Sequence, residues 1–250
     1  MERAALLRRL TWQTGTVIST IQETPRVKTI ALAVEDWSGH RAGQHIDVRL
    51  TAPDGYQTER SYSIASAPED DYLSITVERL DDGEVSPYLV DELREGDELE
   101  FRGPVGGHFI WEDDLGGPLF LVAGGSGVVP LRSMLRHHRA VGSRVPVRVL
   151  CSARSLELLI YRDELMELAA DDLIDISITL TREPPSSSWR GYRGRIDPAL
   201  LSTTGWSTRT EPLTYICGPT AFVETAAAGL VALGYDARRI RTERFGGTGV

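Results

Sequence analysis

Short runs in which apolar and polar residues alternate fill the first part of the chain: TGTVISTI (14–21), VKTIALAV (27–34), HIDVRLTA (45–52), YLSITVERL (72–80) and ELEFRGP (98–104). A period of two sends one side of a strand into a core and the other into water. Strands this short, separated by turn-rich stretches, predict an antiparallel barrel or sandwich over residues 12–109. One short helix, SPYLVDEL (86–93), interrupts them. After WEDDLGG (111–117) the texture changes to strand then helix: PLFLVAGG with LRSMLRHHRA, VPVRVLCSA with LLIYRDELMELAA (158–170), LIDISITLT, and LTYICGPT with AFVETAAAGLVALG. That succession predicts a doubly wound parallel sheet. The expected fold class is therefore two-domain, an antiparallel β-barrel over residues 1–115 followed by an α/β parallel-sheet domain over 116–250. Gly116, Gly117 and Pro118 break both patterns at the boundary. TREPPSSSWRGYRGR (181–195) reads as a long polar loop.

The bulk properties narrow the partners. With 41% hydrophobic and 25% charged residues the chain has the composition of a globular protein, and no apolar run approaches the ~20 residues that cross a bilayer. The expectation is a cytoplasmic protein with no membrane partner. A formal charge of -9 argues against nucleic acid, which demands a concentrated positive surface. The two cysteines, Cys151 and Cys217, form neither a CxxC pair nor a cluster set, and the five histidines lack metal-ligand spacing. No metal site is expected, and adjacent His137 and His138 read as a solvated helix face.

Two stretches carry chemistry. VAGGSGVVP places Gly124, Gly125 and Gly127 between a buried strand and a helix, with Pro130 in the first helical turn. Such a turn brings backbone N–H groups and the positive helix end to a pyrophosphate, although glycines there also serve simply to pack strand against helix. A serine nucleophile elbow is excluded, because Val128 stands where its final glycine is required. The second stretch, RSYSIAS (60–66), puts Arg60, Tyr62 and Ser63 on a strand.

Four motifs in order, RSYS, GEVSPYL (83–89), GGSGVVP and CGPTAF (217–222), resemble those of the ferredoxin-NADP reductase superfamily of flavoenzymes, and the resemblance runs from Trp12 to Phe245. It implies an oxidoreductase that takes hydride from a nicotinamide nucleotide onto a bound flavin. FAD is expected rather than FMN, because most members of the family use FAD. By the same resemblance Arg60 contacts the diphosphate, Tyr62 packs on the ring and ribityl chain, and Ser63 points to the hydride-accepting nitrogen. Val77, with Glu78 and Arg79, lines the flavin with backbone groups, while Gly83, Val85 and Ser86 hold its phosphates. Gly124, Gly125, Ser126 and Gly127 form the nucleotide turn. Cys217, followed by Gly218 and Pro219, lies near the nicotinamide, where it reads equally well as a small buried apolar residue. In the tail RTERFGGTGV, which resembles the ending of oxygenase reductases, Glu243 sits at the flavin edge and Phe245 either caps the ring or is core.

For the nucleotide, Ser152, Arg154 and Arg182 fall where the adenosine ribose is expected. Cations there favour a 2′-phosphate and hence NADPH, while nearby Glu157 keeps NADH open. The acceptor is expected to be a separate redox protein: a ferredoxin, flavodoxin, oxygenase component, haem protein or molybdenum enzyme. This chain has no cysteines for an iron–sulfur cluster of its own. Arg3, Arg8, Arg9, Arg238, Arg239 and Arg241 are candidates for a basic docking surface. The alternatives are a non-catalytic flavin subunit or redox sensor, and a free flavin or ferric reductase.

Overall fold

A computed structural model describes residues 10–245. Six strands, β1 (Gln13–Thr24), β2 (Val27–Ala33), β3 (His45–Thr51), β4 (Gln57–Ser63), β5 (Leu73–Glu78) and β6 (Glu98–Val105), form one antiparallel sheet in the order β4-β3-β6-β1-β2-β5. Every alternating run named above is one of these strands. Their inward residues, among them Ile30, Leu32, Val48, Ile75 and Phe101, make one core. The short helix forms as a π-helical turn over Tyr88–Glu92, and it plugs the barrel with Leu89 and Val90. Arg49 and Arg102 stack on the ring of Trp12 at 3.9 and 4.8 Å.

The second sheet is parallel, in the order β10-β9-β8-β7-β11-β12. Its strands are β7 (Leu119–Gly124), β8 (Val147–Ala153), β9 (Ile174–Leu180), β10 (Tyr192–Arg193), β11 (Leu213–Pro219) and β12 (Ile240–Phe245). β7 is buried along its whole length, because Leu119, Leu121 and Ala123 join the core on one face and Phe120 and Val122 the core on the other. Helices α1 (Val128–Ala140) and α2 (Arg162–Leu168) cover the first face, and α3 (Pro198–Thr204) and α4 (Thr220–Ala232) cover the second.

Three features depart from the sequence reading. The helix expected from Leu158 begins only at Arg162, because Leu159, Ile160 and Tyr161 bury their side chains in a non-helical approach and Tyr161 takes a left-handed φ of 58°. α3 was not expected, although Asp197 accepting from the Leu200 N–H at 2.7 Å and Pro198 at the first position are ordinary start signals. The histidine pair is not a solvated face. His138 is 2% exposed and its Nε2 meets the Val145 carbonyl at 2.7 Å, while His137 bonds Glu69 at 2.8 Å, and both rings pack on Trp111. The barrel's 65–70 loop and Trp111 cover that side of α1.

Candidate functional site

The barrel is incompletely closed. β4 and β5 touch at one bridge, Ile64 opposite Ile75, and beyond it β4 pairs only with β3 and β5 only with β2 among the described residues. The parted edges form a slit. On the β4 side, the Ile64 N–H donates to Gln44 in the direction of β3, so by alternation the backbone of Ser63 faces the slit. On the β5 side, the Arg79 N–H donates to Arg26 at 2.8 Å, which turns the backbone of Glu78 into the slit. Val77, by contrast, pairs with Lys28 and buries its side chain in the barrel, forming floor rather than edge. Arg79 spends its side chain on Asp81 and Asp91.

Tyr62 is half-buried against the barrel core, and burial pushes its hydroxyl well above the usual range, so the ring acts as a neutral aromatic surface. Arg60 donates through Nη1 to the Glu59 carbonyl at 2.7 Å and to Thr58 at 3.3 Å, and through Nη2 to Glu84 at 3.3 Å. A guanidinium has five N–H groups, so Nε and one hydrogen of Nη2, the fork that grips a phosphate, are without partner among the described residues. Across from it lies Gly83, where a Cβ would stand 2.8 Å from Ser86 Oγ and so displace that hydroxyl. Ser86 Oγ accepts from the Leu80 N–H at 3.0 Å and keeps its own proton to donate, while Val85 is fully buried beneath the loop. A slit with an aromatic wall, free backbone groups and a cationic fork beside a glycine loop fits a flavin with a phosphorylated tail.

The nucleotide turn closes on this slit from the second domain. Gly125 carries a φ of 55°, and Ser126 Oγ donates to Glu78 Oε2 at 2.8 Å, joining the turn to the slit's edge. Between them lies a cleft of about 230 Å³ lined by Gly124, Gly125, Ser126, Ser152, Arg154 and Pro219, by Phe245 from β12, and by Arg26 and Glu78 from the barrel. Gly127 lies beneath the turn, where its α-carbon packs on the Cys217 carbonyl. Gly218 and Gly124 pack together under the ring of Phe222. Arg154 is exposed, and its guanidinium makes no hydrogen bond among the described residues. Arg182 is exposed and outside the cleft lining, although its N–H bonds the Arg154 carbonyl at 2.7 Å.

Cys217 is fully buried beside Glu243, its register partner on β12, and burial followed by that carboxylate holds its thiol well above the usual range. Its side chain is fully enclosed in the core under α1 and α2, as the reading of a small buried apolar residue expects. Glu243 reaches back to the barrel: its Oε1 lies 3.6 Å from Nδ1 of His45, which is the β3 partner of Ser63, and its Oε2 is buried without a hydrogen-bond partner. Ser63, His45 and Glu243 thus meet at one end of the slit. Phe245 lines the cleft and also packs partly on the core under α1 and α2, as the core reading of the position expects.

Arg26 and Phe222 line the cleft and were not among the expected site residues, and Glu78, expected to offer its backbone to the flavin, also lines the cleft and bonds Ser126 through its side chain. Of the two unexpected residues, only Phe222, inside CGPTAF, had a sequence signal. The arginines considered for docking are engaged locally: Arg238 pairs with Asp236, Arg239 bonds the Glu211 carbonyl and Arg241 bonds the Ile110 carbonyl. Arg3, Arg8 and Arg9 lie outside the described residues.

Residues 15–110 match the family described as oxidoreductase FAD-binding domain, and residues 121–228 match that described as oxidoreductase NAD-binding domain. The chain is 33% identical over 246 residues to the glycine betaine monooxygenase reductase subunit of Pseudomonas aeruginosa, covering 95% of this chain and 66% of that protein. It thus spans just under two thirds of such relatives. It is 38% identical over 215 residues to ferredoxin–NADP reductase B of Sorangium cellulosum, covering 82% of this chain and 84% of the other. Among solved structures, the Amycolatopsis cytochrome P450 reductase GcoB superposes with a TM-score of 0.80 at 26% identity, over 94% of this chain and 70% of that one. A Neisseria gonorrhoeae ferredoxin NADP+ reductase with bound FAD and NADP shares the fold, with a TM-score of 0.81 at 22% identity over 93% and 98% of the two chains.

Proposed function

Because the chain belongs to the ferredoxin-NADP reductase-like superfamily, with an FAD-binding and an NAD-binding domain, we propose that it is an NAD(P)H-dependent flavoprotein reductase that delivers electrons to a separate redox protein. The observation that carries this is the contact of Ser126 with Glu78, which brings the nucleotide turn edge to edge with the flavin slit. The bound flavin supplies the chemistry: it accepts two electrons as hydride and releases them one at a time.

The protein's task is positioning. Arg60 and the Gly83–Ser86 loop hold the phosphorylated tail, Tyr62 supports the ring, and Ser63 and Glu243 present polar groups at one end of it. Phe245 covers the cleft, so an entering nicotinamide displaces it. Ser126 exchanges its bond to Glu78 for one to the nucleotide. Cys217 shapes the wall from beneath.

Arg154, cationic and unpaired among the described residues beside Ser152, favours NADPH through its 2′-phosphate. For the acceptor, the support is the printed roles of relatives: a reductase subunit of a monooxygenase and a ferredoxin–NADP reductase. Two free, buried cysteines suit a reducing compartment, and the cytoplasm is the proposed location. No helix among the described residues is long and apolar enough to cross a membrane.

Anaerobic stopped-flow mixing of the flavin-loaded protein with NADPH and, separately, NADH tests the proposal. Rapid loss of flavin absorbance with a preference for NADPH is the expected result. A flavin that neither nucleotide reduces overturns it and leaves a non-catalytic flavin subunit.

A further inference from the structure

Beyond Arg60, towards the start of β4, three side chains on one face of the strand converge on a single carboxylate. Tyr56 donates its hydroxyl to Glu84 Oε1 at 3.1 Å, Thr58 donates to Glu84 Oε2 at 3.1 Å, and Arg60 reaches the same Oε2 at 3.3 Å. Glu84 belongs to the loop that begins at Gly83, so the cluster adjoins the place assigned to the diphosphate. Tyr56 is 56% exposed, yet it is not loose. Its carbonyl accepts from the Ala52 N–H at 2.8 Å and its own N–H donates to Asp54 at 3.0 Å, fixing the hairpin tip on which it stands. A large ring that is open to solvent, held at both its backbone and its hydroxyl, is a preformed platform.

The strand itself supplies a ruler. Alternate residues of a β-strand stand about 6.6 Å apart. Tyr62 supports the ring and ribityl chain and Arg60, one step on, meets the diphosphate, so Thr58 and Tyr56 are the next two steps along the same face. Whatever follows the diphosphate lies over them. Arg60, bonded to Glu84 on one side and open on the other, is a counter-ion shared by the carboxylate and the diphosphate.

Resting on the flavin reading above, we propose that Tyr56 and Glu84 form the subsite for the adenosine half of FAD. The exposed face of Tyr56 stacks on the purine, and Glu84 orients the ring and accepts from the ribose hydroxyls. FMN ends at its phosphate and does not reach this subsite, so Tyr56 and Glu84 are what make the slit select FAD over FMN.

Direct binding tests this without any turnover: the full chain is stripped of flavin and titrated with FAD and with FMN, following quenching of flavin fluorescence. The wild-type protein is expected to prefer FAD by tenfold or more. Tyr56→Ala is expected to weaken FAD roughly tenfold, the scale of a base–aromatic stack, and to leave FMN within twofold. Tyr56→Phe, which keeps the ring, retains most of the preference, and circular dichroism checks that both variants fold. Equal loss of FAD and FMN in Tyr56→Ala, or no loss of either, overturns the subsite. So does a wild-type protein that binds the two flavins equally, and in that case the flavin slit still stands. A wild-type protein that binds neither overturns the slit and the subsite together.

Discussion

Gly127 and Gly125 sit two residues apart in the nucleotide turn, yet their side-chain hydrogens do different work. A Cβ on Gly127 would stand 2.0 Å from the Cys217 carbonyl oxygen and 2.8 Å from the Gly218 nitrogen, both backbone atoms that cannot swing away. A Cβ on Gly125 would meet nothing, and only its φ of 55° resists substitution. Gly127→Ala is therefore expected to cost about 1–3 kcal/mol, the usual range for overpacking. Gly125→Ala is expected to cost at most the 1–2 kcal/mol of a left-handed residue. Urea unfolding of the two variants measures the difference, and a Gly125→Ala protein less stable than Gly127→Ala contradicts this account. At this scale the motif residues were legible because they are contiguous: Gly124 to Gly127 and Arg60 to Ser63 each announce themselves within four positions. Arg26 and the side-chain contact of Glu78 with Ser126 were not, because they depend on facing residues 48 or more positions away, and no local pattern records that.

The strands of the barrel were legible as elements because each buries one face, and that requirement writes itself into the sequence as alternation. The stretch before α2 was misread for the opposite reason. Leu158, Leu159, Ile160 and Tyr161 look like the start of an apolar helix, but Tyr161 leaves the helical path so that its hydroxyl can cross to the barrel. There it donates to Thr76, whose hydroxyl lies 2.8 Å from that of Thr29, which in turn donates to Glu23 at 2.7 Å. Because the Thr29 proton is committed to Glu23, Thr76 must donate to Thr29, and the chain runs one way from one domain to a carboxylate of the other. Burial raises the Tyr161 hydroxyl far above its usual range, so it is a permanent donor. Tyr161→Phe removes the bond that Thr76 accepts while Thr76 keeps the one it donates to Thr29, and is expected to cost about 0.5–1.5 kcal/mol, the net worth of one hydrogen bond. A variant with an unchanged thermal midpoint shows that the chain contributes nothing.

Helix α1 ties the two domains together along one side. From it, Arg132 donates to the Ala65 carbonyl at 3.0 Å, Ser133 to the Ser66 carbonyl at 2.6 Å, and Arg136 to both oxygens of Asp70 at 2.7 and 3.0 Å. Burial pushes the Asp70 carboxyl up, but the hydrogen bonds from Arg136 and the Ala67 N–H outweigh it, and its folded-state pKa lies below the ordinary value. A depressed carboxyl stabilises the fold above its unfolded pKa of about 3.9, and the contribution is lost as pH falls through the folded value. Asp70→Asn is thus expected to lower the thermal midpoint at pH 7, with the gap to wild type closing below about pH 4. A gap that is constant from pH 7 to pH 3 contradicts the assignment.

The first residue of α1 follows the nucleotide turn directly, and its side grips the loop that directly follows Ser63 of the flavin slit. One helix therefore serves as the gauge block between the two pockets. For anyone recombining this protein with a relative, the natural cut at the chain's midpoint is the wrong one. A chimaera that exchanges residues 119–245 alone inherits two intact pockets from two parents and a gauge cut for neither. The transferable unit is the α/β half together with residues 65–70, a patch that belongs by sequence to one domain and by mechanics to the other.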